Sequence, residues 1–462
     1  MDIQNLTITT ALQALRTGSL TAGELYAACT QAVERLDPAI NAFITRPDAA
    51  RFQVPPAASG PLAGIPIAIK DLYQTAGVRT TAGTTFFTDF IPEQDALVVE
   101  KLKTAGASIA GKTNTHEIAL GVTGVNPHYG PVHNPWDTRR ITGGSSSGSA
   151  AAVAAGMVPA ALGTDTGGSI RIPASLCGVV GLKPTNGRIS LRGILPLSWN
   201  LDHAGPLTRS VRDAALLLQV LAGYDELDPS SLNLPVDDYL TSIDTGVQGW
   251  RIAVLTGEYA WETDPEVLDI VREAAEVFKT LGATVLPVEL NFLRDAALAN
   301  SLMTQADGAA FHRERMAEHP LGFGEDVRQR LKTGASFTSS EYALARRTQT
   351  EARRRMEVFF SGAALPGQGF DALLLPATPI TAPFIEGNDA LEQARRLTRF
   401  TAPFNLTGLP AISLPCGFSS NGLPVGLQII TPAWQERKLL RAAHAYEQAT
   451  PWHNQHPDLS QI

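Results

Sequence analysis

Between Gly143 and Arg171 the chain reads GGSSSGS, an alanine-rich run, and then GTDTGGSIR, so two glycine-rich turns bracket one helix of small residues. Glycine tolerates positive φ and lets a backbone come close to a ligand. Ser145 and Ser169, each set among glycines, can therefore aim a hydroxyl and neighbouring N–H groups at a single substrate atom. The pairing predicts a serine hydrolase whose site rests on turns, with the alanine helix, expected at 149–157, crossing the interior closely.

The scaffold follows from periodicity. Helical spacing over residues 7–36 (Leu12, Leu15, Leu25, Ala28, Val33, Leu36) stops at Asp37-Pro38, giving a helical N-terminal arm within 1–60. After the Pro/Ala/Gly stretch Pro55 to Pro61, the β-branched run Ile65–Ile69 reads as a buried strand delivering Lys70-Asp71 at its end, where α/β proteins often place their chemistry. Helix is expected at 98–103, 265–281, 300–316, 339–359 and 436–448, and strand at 107–110, 252–255, 283–288, 372–375, 411–414 and 425–430. This alternation predicts an α/β fold, a large mixed β-sheet core covered by helices on both faces, in a single domain spanning 1–462. Residues 223–248 read as a loop-rich excursion, and the helical part at about 290–360 as the side facing substrate.

With 44% hydrophobic and 18% charged residues, the chain can bury a core without disulfides or metal. A net charge of −8, with no basic block longer than Arg353-Arg354-Arg355, argues against a nucleic-acid or anionic-membrane surface and for a small neutral substrate. Cys29, Cys177 and Cys416 lie far apart without metal-ligand spacing, which suits reduced packing thiols. The start has no basic-then-apolar pattern and no apolar run reaches 18 residues, so a cytoplasmic chain without metal or cofactor is expected.

Three chemistries compete for the glycine-rich segments. Gly106 to Thr113 matches GxxxxGK[ST], a nucleotide-binding pattern. A phosphate loop, however, must follow a strand and open a helix, whereas here a helix precedes Gly106 and the apolar residues are themselves the strand. Gly144 to Gly148 matches GxSxG with Ser146 as an α/β-hydrolase nucleophile, yet polar, turn-like residues precede it where an apolar strand is required. That reading also needs a downstream His, and His203, His312, His319, His444, His453 and His456 stand in no distinguishing context. The third reading pairs the two serines with a lysine base; no Ser-x-x-Lys occurs, so the base must arrive from another strand, and Lys70 is the best placed.

Long motifs in order, GIPIAIKDL (Gly64 to Leu72), AGKTNTHEIALG (Ala110 to Gly121), NPWD (Asn134 to Asp137), ITGGSSSGSAAAVAAG, GTDTGGSIRIPASLCGVVGLKPT, GPLTRSVRDAALLL, GLPAISLPCGF and GLPVGLQII, resemble the amidase signature family of serine amidohydrolases. The resemblance implies a catalytic triad of Lys70, Ser145 and Ser169, with Ser145 bridging through a cis Gly144-Ser145 peptide and Ser169 as nucleophile. It also implies an oxyanion hole at Thr166, Gly167 and Gly168, with Asp165, Arg171 and Ser146 in support. A serine hydroxyl must lose its proton as it attacks, and Lys70 can accept that proton only when neutral, which burial favours.

Within the family, a free-standing amidase acting on amide, anilide, urea or carbamate bonds is the favoured expectation. Its partners would be a small-molecule substrate and at most a second copy as a homodimer, with no nucleic acid and no membrane. The alternative is the glutamine-hydrolysing subunit of a tRNA-dependent amidotransferase. Such subunits usually carry an acidic residue just before the Phe-Thr-x-Pro-x-Asn-Leu stretch and Gln at position 172, where this chain has Thr398-Arg399 and Ile172. Ile172, Leu197, Trp199, Leu302, Met303 and Phe404 are candidates for an apolar pocket.

Overall fold

The computed structural model describes residue 3 and residues 5–47, 60–363, 369–387 and 389–460; the expected stretch Pro55 to Pro61 lies largely outside them. Among the described residues eleven strands form one sheet. Across it they run Phe43–Thr45, Ser108–Thr113, Pro66–Lys70, Ala160–Thr164, Ala204–Thr208, Val180–Lys183, Ala411–Phe418, Pro424–Ile430, Ala372–Pro376, Arg251–Leu255 and Thr284–Val288. The sheet is mixed: Pro66–Lys70 pairs in parallel with both Ser108–Thr113 and Ala160–Thr164, whereas Ala204–Thr208 runs antiparallel to its neighbours.

Helices cover both faces because successive strand side chains point opposite ways. Ile67, Ile69 and Leu162 enter one core with residues of helices Leu97–Thr104, Val211–Leu221, Pro265–Thr280 and Glu436–Ala449. Ala68 and Ala161 enter another with the alanines of helix Ser147–Ala154 and with Ala174 and Cys177 of helix Arg171–Cys177. All eight residues of Ser147–Ala154 are buried. Side-chain bulk is excluded there: a Cβ on Gly148 would collide with the Ala42 carbonyl and lie 2.6 Å from Asn114 N.

Outside the sheet, helices Leu293–Phe311, Arg313–Glu318, Glu325–Ser336 and Ser339–Ser361 form a helical layer, with Ala296, Met303, Ala345 and Ala352 packing on Leu201 and Leu406. Residues 223–248 carry no helix or strand, as expected. The N-terminal helix does not stop at Asp37-Pro38 but spans Ala22–Ile40. Proline there removes one hydrogen bond from the last turn only. The turn then closes through Asn41 in the left-handed region, and the Asp37 carboxylate accepts from Ala42 N at 2.6 Å and Phe43 N at 3.2 Å.

Candidate active site

Strand Pro66–Lys70 ends at the middle of the parallel part of the sheet, so Lys70 emerges with no exposure to solvent. Its Nζ donates to Ser145 Oγ and to Thr164 Oγ1, both at 2.7 Å. Burial pushes the Lys70 ammonium down to about 7, against the negative charges of Asp165 and Asp202, which favour the protonated form. Thr164, which ends the neighbouring strand, is not among the residues the sequence singles out; a threonine closing a small-residue strand carries no periodic signal of its own.

The Gly144-Ser145 peptide is cis. Ser145 is buried, and its carbonyl accepts from Thr115 Oγ1 at 2.9 Å and His116 N at 3.2 Å. Ser146 N donates to the Ser169 carbonyl at 3.1 Å, which sets the two serine-bearing turns side by side. Ser146 itself serves as a brace, its Oγ bonding Thr164 O at 3.1 Å and accepting from Thr164 N at 3.2 Å. A strand, Asp137–Ile141, does precede the turn where the sequence reads as turn-like, but it pairs with His133–Asn134 in a separate two-stranded ribbon and not in the large sheet; that placement and the engagement of Ser146 Oγ remove the nucleophile-elbow reading.

Strand Ala160–Thr164 feeds the second turn. Asp165 and Arg171 close it as a fully buried pair, with Arg171 Nη2 at 2.9 Å and Nε at 3.0 Å from the two carboxylate oxygens. Burial alone would raise the Asp165 carboxyl, but Arg171, Lys183 and Asn405 outweigh it and hold it well below the usual carboxylate range. Arg171 also donates to Gln428 Oε1 at 2.6 Å, Asn405 Oδ1 at 2.6 Å and Thr401 O at 3.0 Å, leaving no part of its fork idle.

One expected oxyanion donor is otherwise engaged: Gly168 N donates to Asp165 Oδ1 at 2.7 Å. Among the described residues the Thr166, Gly167 and Ser169 N–H groups carry no hydrogen bond, so the donors open to a substrate oxygen lie on either side of Gly168. Gly168 is required for a different reason. Its φ is +137°, and a Cβ there would collide with Thr401 Oγ1 and lie 2.6 Å from Ile172 Cδ1.

Asp202 is the main site residue that the sequence does not single out. Buried between loop and strand, it accepts from Thr166 Oγ1 at 2.6 Å, Leu197 N at 2.9 Å and Ser198 N at 3.1 Å. Burial pushes its carboxyl up to about 6, partly offset by those bonds and by Lys70. Asp202 and Thr164 line a cavity of about 410 Å³ together with Leu191, Ile194, Pro196 and Trp199. Of the other apolar pocket candidates, Phe404 and Met303 are fully buried in packed clusters and Ile172 packs with Leu176 and Ile141.

Residues 115–117 join this site to the helical layer. While Thr115 and His116 hold the Ser145 carbonyl, His116 Nε2 lies 2.9 Å from Asp326 Oδ2, and Glu117 Oε2 accepts from Gly324 N at 2.8 Å. Burial alone would raise Asp326, but His116 beside it holds the carboxyl at about 2. Lys112, the lysine of the nucleotide-like pattern, lies buried in strand Ser108–Thr113 and donates to Tyr73 O and Thr80 Oγ1, both at 2.6 Å, with Asp71 at 3.5 Å. No helix opens at Thr113, and a phosphate has no access to Lys112, so the nucleotide reading falls.

Among the described residues no helix is long and apolar enough to cross a membrane. The family model described as Amidase matches residues 24–440. The chain is 41% identical to the A subunit of glutamyl-tRNA(Gln) amidotransferase from Chloroflexus aurantiacus, covering 99% of each protein. It superposes on the crystal structure of the A subunit of glutamyl-tRNA(Gln) amidotransferase from Thermotoga maritima with a TM-score of 0.87 at 37% identity, covering 98% of this chain and 96% of that one. It superposes equally, with a TM-score of 0.87 at 32% identity, on 6-aminohexanoate cyclic dimer hydrolase, covering 99% and 100%. The expectation of a chain acting with no nucleic-acid partner, or as a homodimer, is thereby corrected: proteins that match it end to end are by name subunits of an amidotransferase for glutamyl-tRNA(Gln). Net negative charge misled that expectation, because the charge of one chain says nothing about surfaces its partners contribute.

Proposed function

This chain belongs to the amidase signature family and hydrolyses C–N bonds, and from that premise we propose that it releases ammonia from glutamine as the amide-cleaving subunit of an amidotransferase. The observation that carries this reading is the end-to-end likeness, at 37–41% identity, to the A subunits of such enzymes. One continuous eleven-strand sheet supports taking the chain as a single domain, with the helical layer of residues 293–361 as its substrate-facing side.

In the proposed reaction, Ser169 Oγ attacks the carboxamide carbon while its proton passes to Ser145 and on to Lys70, which burial keeps partly neutral near pH 7. The carbonyl oxygen becomes an oxyanion facing the free N–H groups of the 166–169 turn. As the C–N bond breaks, Lys70 returns the proton through Ser145 to the departing nitrogen, so the amine leaves neutral and an acyl-Ser169 ester remains. Water, deprotonated along the same relay, then cleaves that ester and frees the carboxylate. Asp165 and Arg171 hold the turn rigid throughout.

A second reading, a different small carboxamide or a carbamate as substrate, rests on one observation. Thr398 and Arg399 stand where an acidic residue would serve a glutamine amino group, neither side chain carries a carboxylate, and the Arg399 guanidinium is engaged by Tyr259 O, at 2.9 Å, and by Glu262. Product formation by the purified chain separates the two: ammonia from glutamine, the arylamine from an anilide, the amine from a carbamate and the ring-opened amino acid from a cyclic amide. Glutamine turnover supports the first reading, and turnover of another amide with none of glutamine supports the second.

A further inference from the structure

Beside the oxyanion turn stands a polar group with half its bonding unused. Asn300, on helix Leu293–Phe311, is 3% exposed and donates through Nδ2 to the Thr166 carbonyl at 3.1 Å. A carbonyl can only accept, so this bond fixes which end of the amide is nitrogen and turns Oδ1 the other way. Oδ1 has no partner among the described residues, and a Cβ added to Gly167 would lie 3.1 Å from it. The unpaired acceptor thus borders a residue whose N–H is left free, one of those proposed above to meet the substrate oxygen. Without a protein partner, this oxygen is free to accept a hydrogen bond from whatever enters the site.

The other groups around Gly167 cannot fill its role. Thr398 approaches the same point only through its methyl, 3.9 Å away, and its hydroxyl is bonded to Ala394 O at 2.6 Å. Thr401 Oγ1 donates to Gly167 O at 2.6 Å. Asp165 accepts from Gly168, Arg171 and Asn405, and Asp202 from Thr166, Leu197 and Ser198, so both carboxylates are engaged by internal donors. Asn300 Oδ1 is therefore the acceptor left for a donor on the acyl part of the substrate.

Resting on the glutamine reading, we propose that Asn300 Oδ1 receives the α-amino group of glutamine and sets specificity by a neutral acceptor in place of a carboxylate. An uncharged oxygen holds an ammonium group less tightly than a carboxylate does, so discrimination should be moderate and insensitive to salt.

The test compares glutamine with 5-amino-5-oxopentanoate, the same molecule without the amino group, as substrates for the full-length chain. Wild type should prefer glutamine. Asn300→Leu, which keeps the volume, and Asn300→Ala should each lower kcat/KM for glutamine at least tenfold, mainly through KM, while changing that for the deaminated compound less than threefold. Thermal melts of both variants identify loss of fold. Equal losses on the two compounds would mean that Asn300 only supports Thr166, and would overturn the proposal while leaving the glutamine reading intact. Turnover of another amide by wild type with none of glutamine overturns that reading and this inference with it.

Discussion

Lowering the pH from 8 to 5 should shut the enzyme down along a curve set by Lys70. Burial moves this lysine from 10.5 to about 7, a shift of roughly 5 kcal/mol at about 1.4 kcal/mol per unit. At pH 7 about half of the molecules then hold Lys70 neutral, against about one in 3,000 for a solvated lysine. Because only the neutral amine accepts the Ser169 proton, kcat/KM should fall about tenfold per unit below pH 7 and about 100-fold by pH 5. The fields reaching Lys70 come from Asp165, which stays ionised throughout, and Asp202, which titrates near 6 and broadens the limb there. The same shift makes folding harder at low pH. An unfolded Lys70 binds its proton up to about 10.4 whereas the folded one has released it above 7, so this group makes stability rise with pH between those values. The assay is steady-state ammonia release from glutamine between pH 5 and 9, with Lys70→Met as control, expected to lose about 10²–10⁴-fold and to show no acid limb of this origin. A wild-type profile that is flat from 5 to 8, or whose limb centres above 9, would refute the reasoning.

Asp202→Asn removes a charge that favours the ammonium form, so the acid limb should move to lower pH; a limb that stays in place disproves the coupling. Ser169→Ala should abolish turnover, and mass spectrometry after a fluorophosphonate or sulfonyl fluoride should find the adduct on Ser169, an adduct on Ser146 counting against the assignment. Gly168→Ala should cost about 10²–10³ in kcat through distortion of the turn, whereas Gly167→Ala, with its nearest atom at 3.1 Å, should cost distinctly less; the reverse order would count against the steric account. Arg171→Met strands the Asp165 carboxylate in the interior and should lower unfolding free energy by about 3–5 kcal/mol in a urea melt, with less than 1 kcal/mol contradicting it.

Strands rich in branched residues, such as Ile67 and Ile69 or Leu373 and Leu374, are legible because their apolar runs are short and bounded by turn residues. Ala160–Thr164, Val180–Lys183 and Ala204–Thr208 are not, since alanine, glycine and proline carry little strand preference and these segments are specified by what packs on them, the alanine helix on the first and third and helix Arg171–Cys177 on the second. The relay lysine and both serines can be found because each ends or interrupts a distinctive local pattern. Thr164, Asp202 and Asn300 cannot: each joins the site through a tertiary contact, Asp202 by capping Leu197 and Ser198 and Asn300 from a helix 131 residues after Ser169. Pro38 reads as a stop because its lost donor matters in mid-helix, and in a last turn it hardly does.

Residues 115–117 are tethered at both ends, one side to the Ser145 carbonyl and the other to Gly324 and Asp326 at the start of helix Glu325–Ser336. A tilt of that helix is consequently delivered as a tug on the bridging serine, with only a tripeptide of slack between them. With the acyl group seated against the helical layer and the proton relayed through Ser145, as proposed above, the fit of one and the alignment of the other become one mechanical variable. Remodelling the layer for a new substrate would therefore be paid in turnover as much as in affinity.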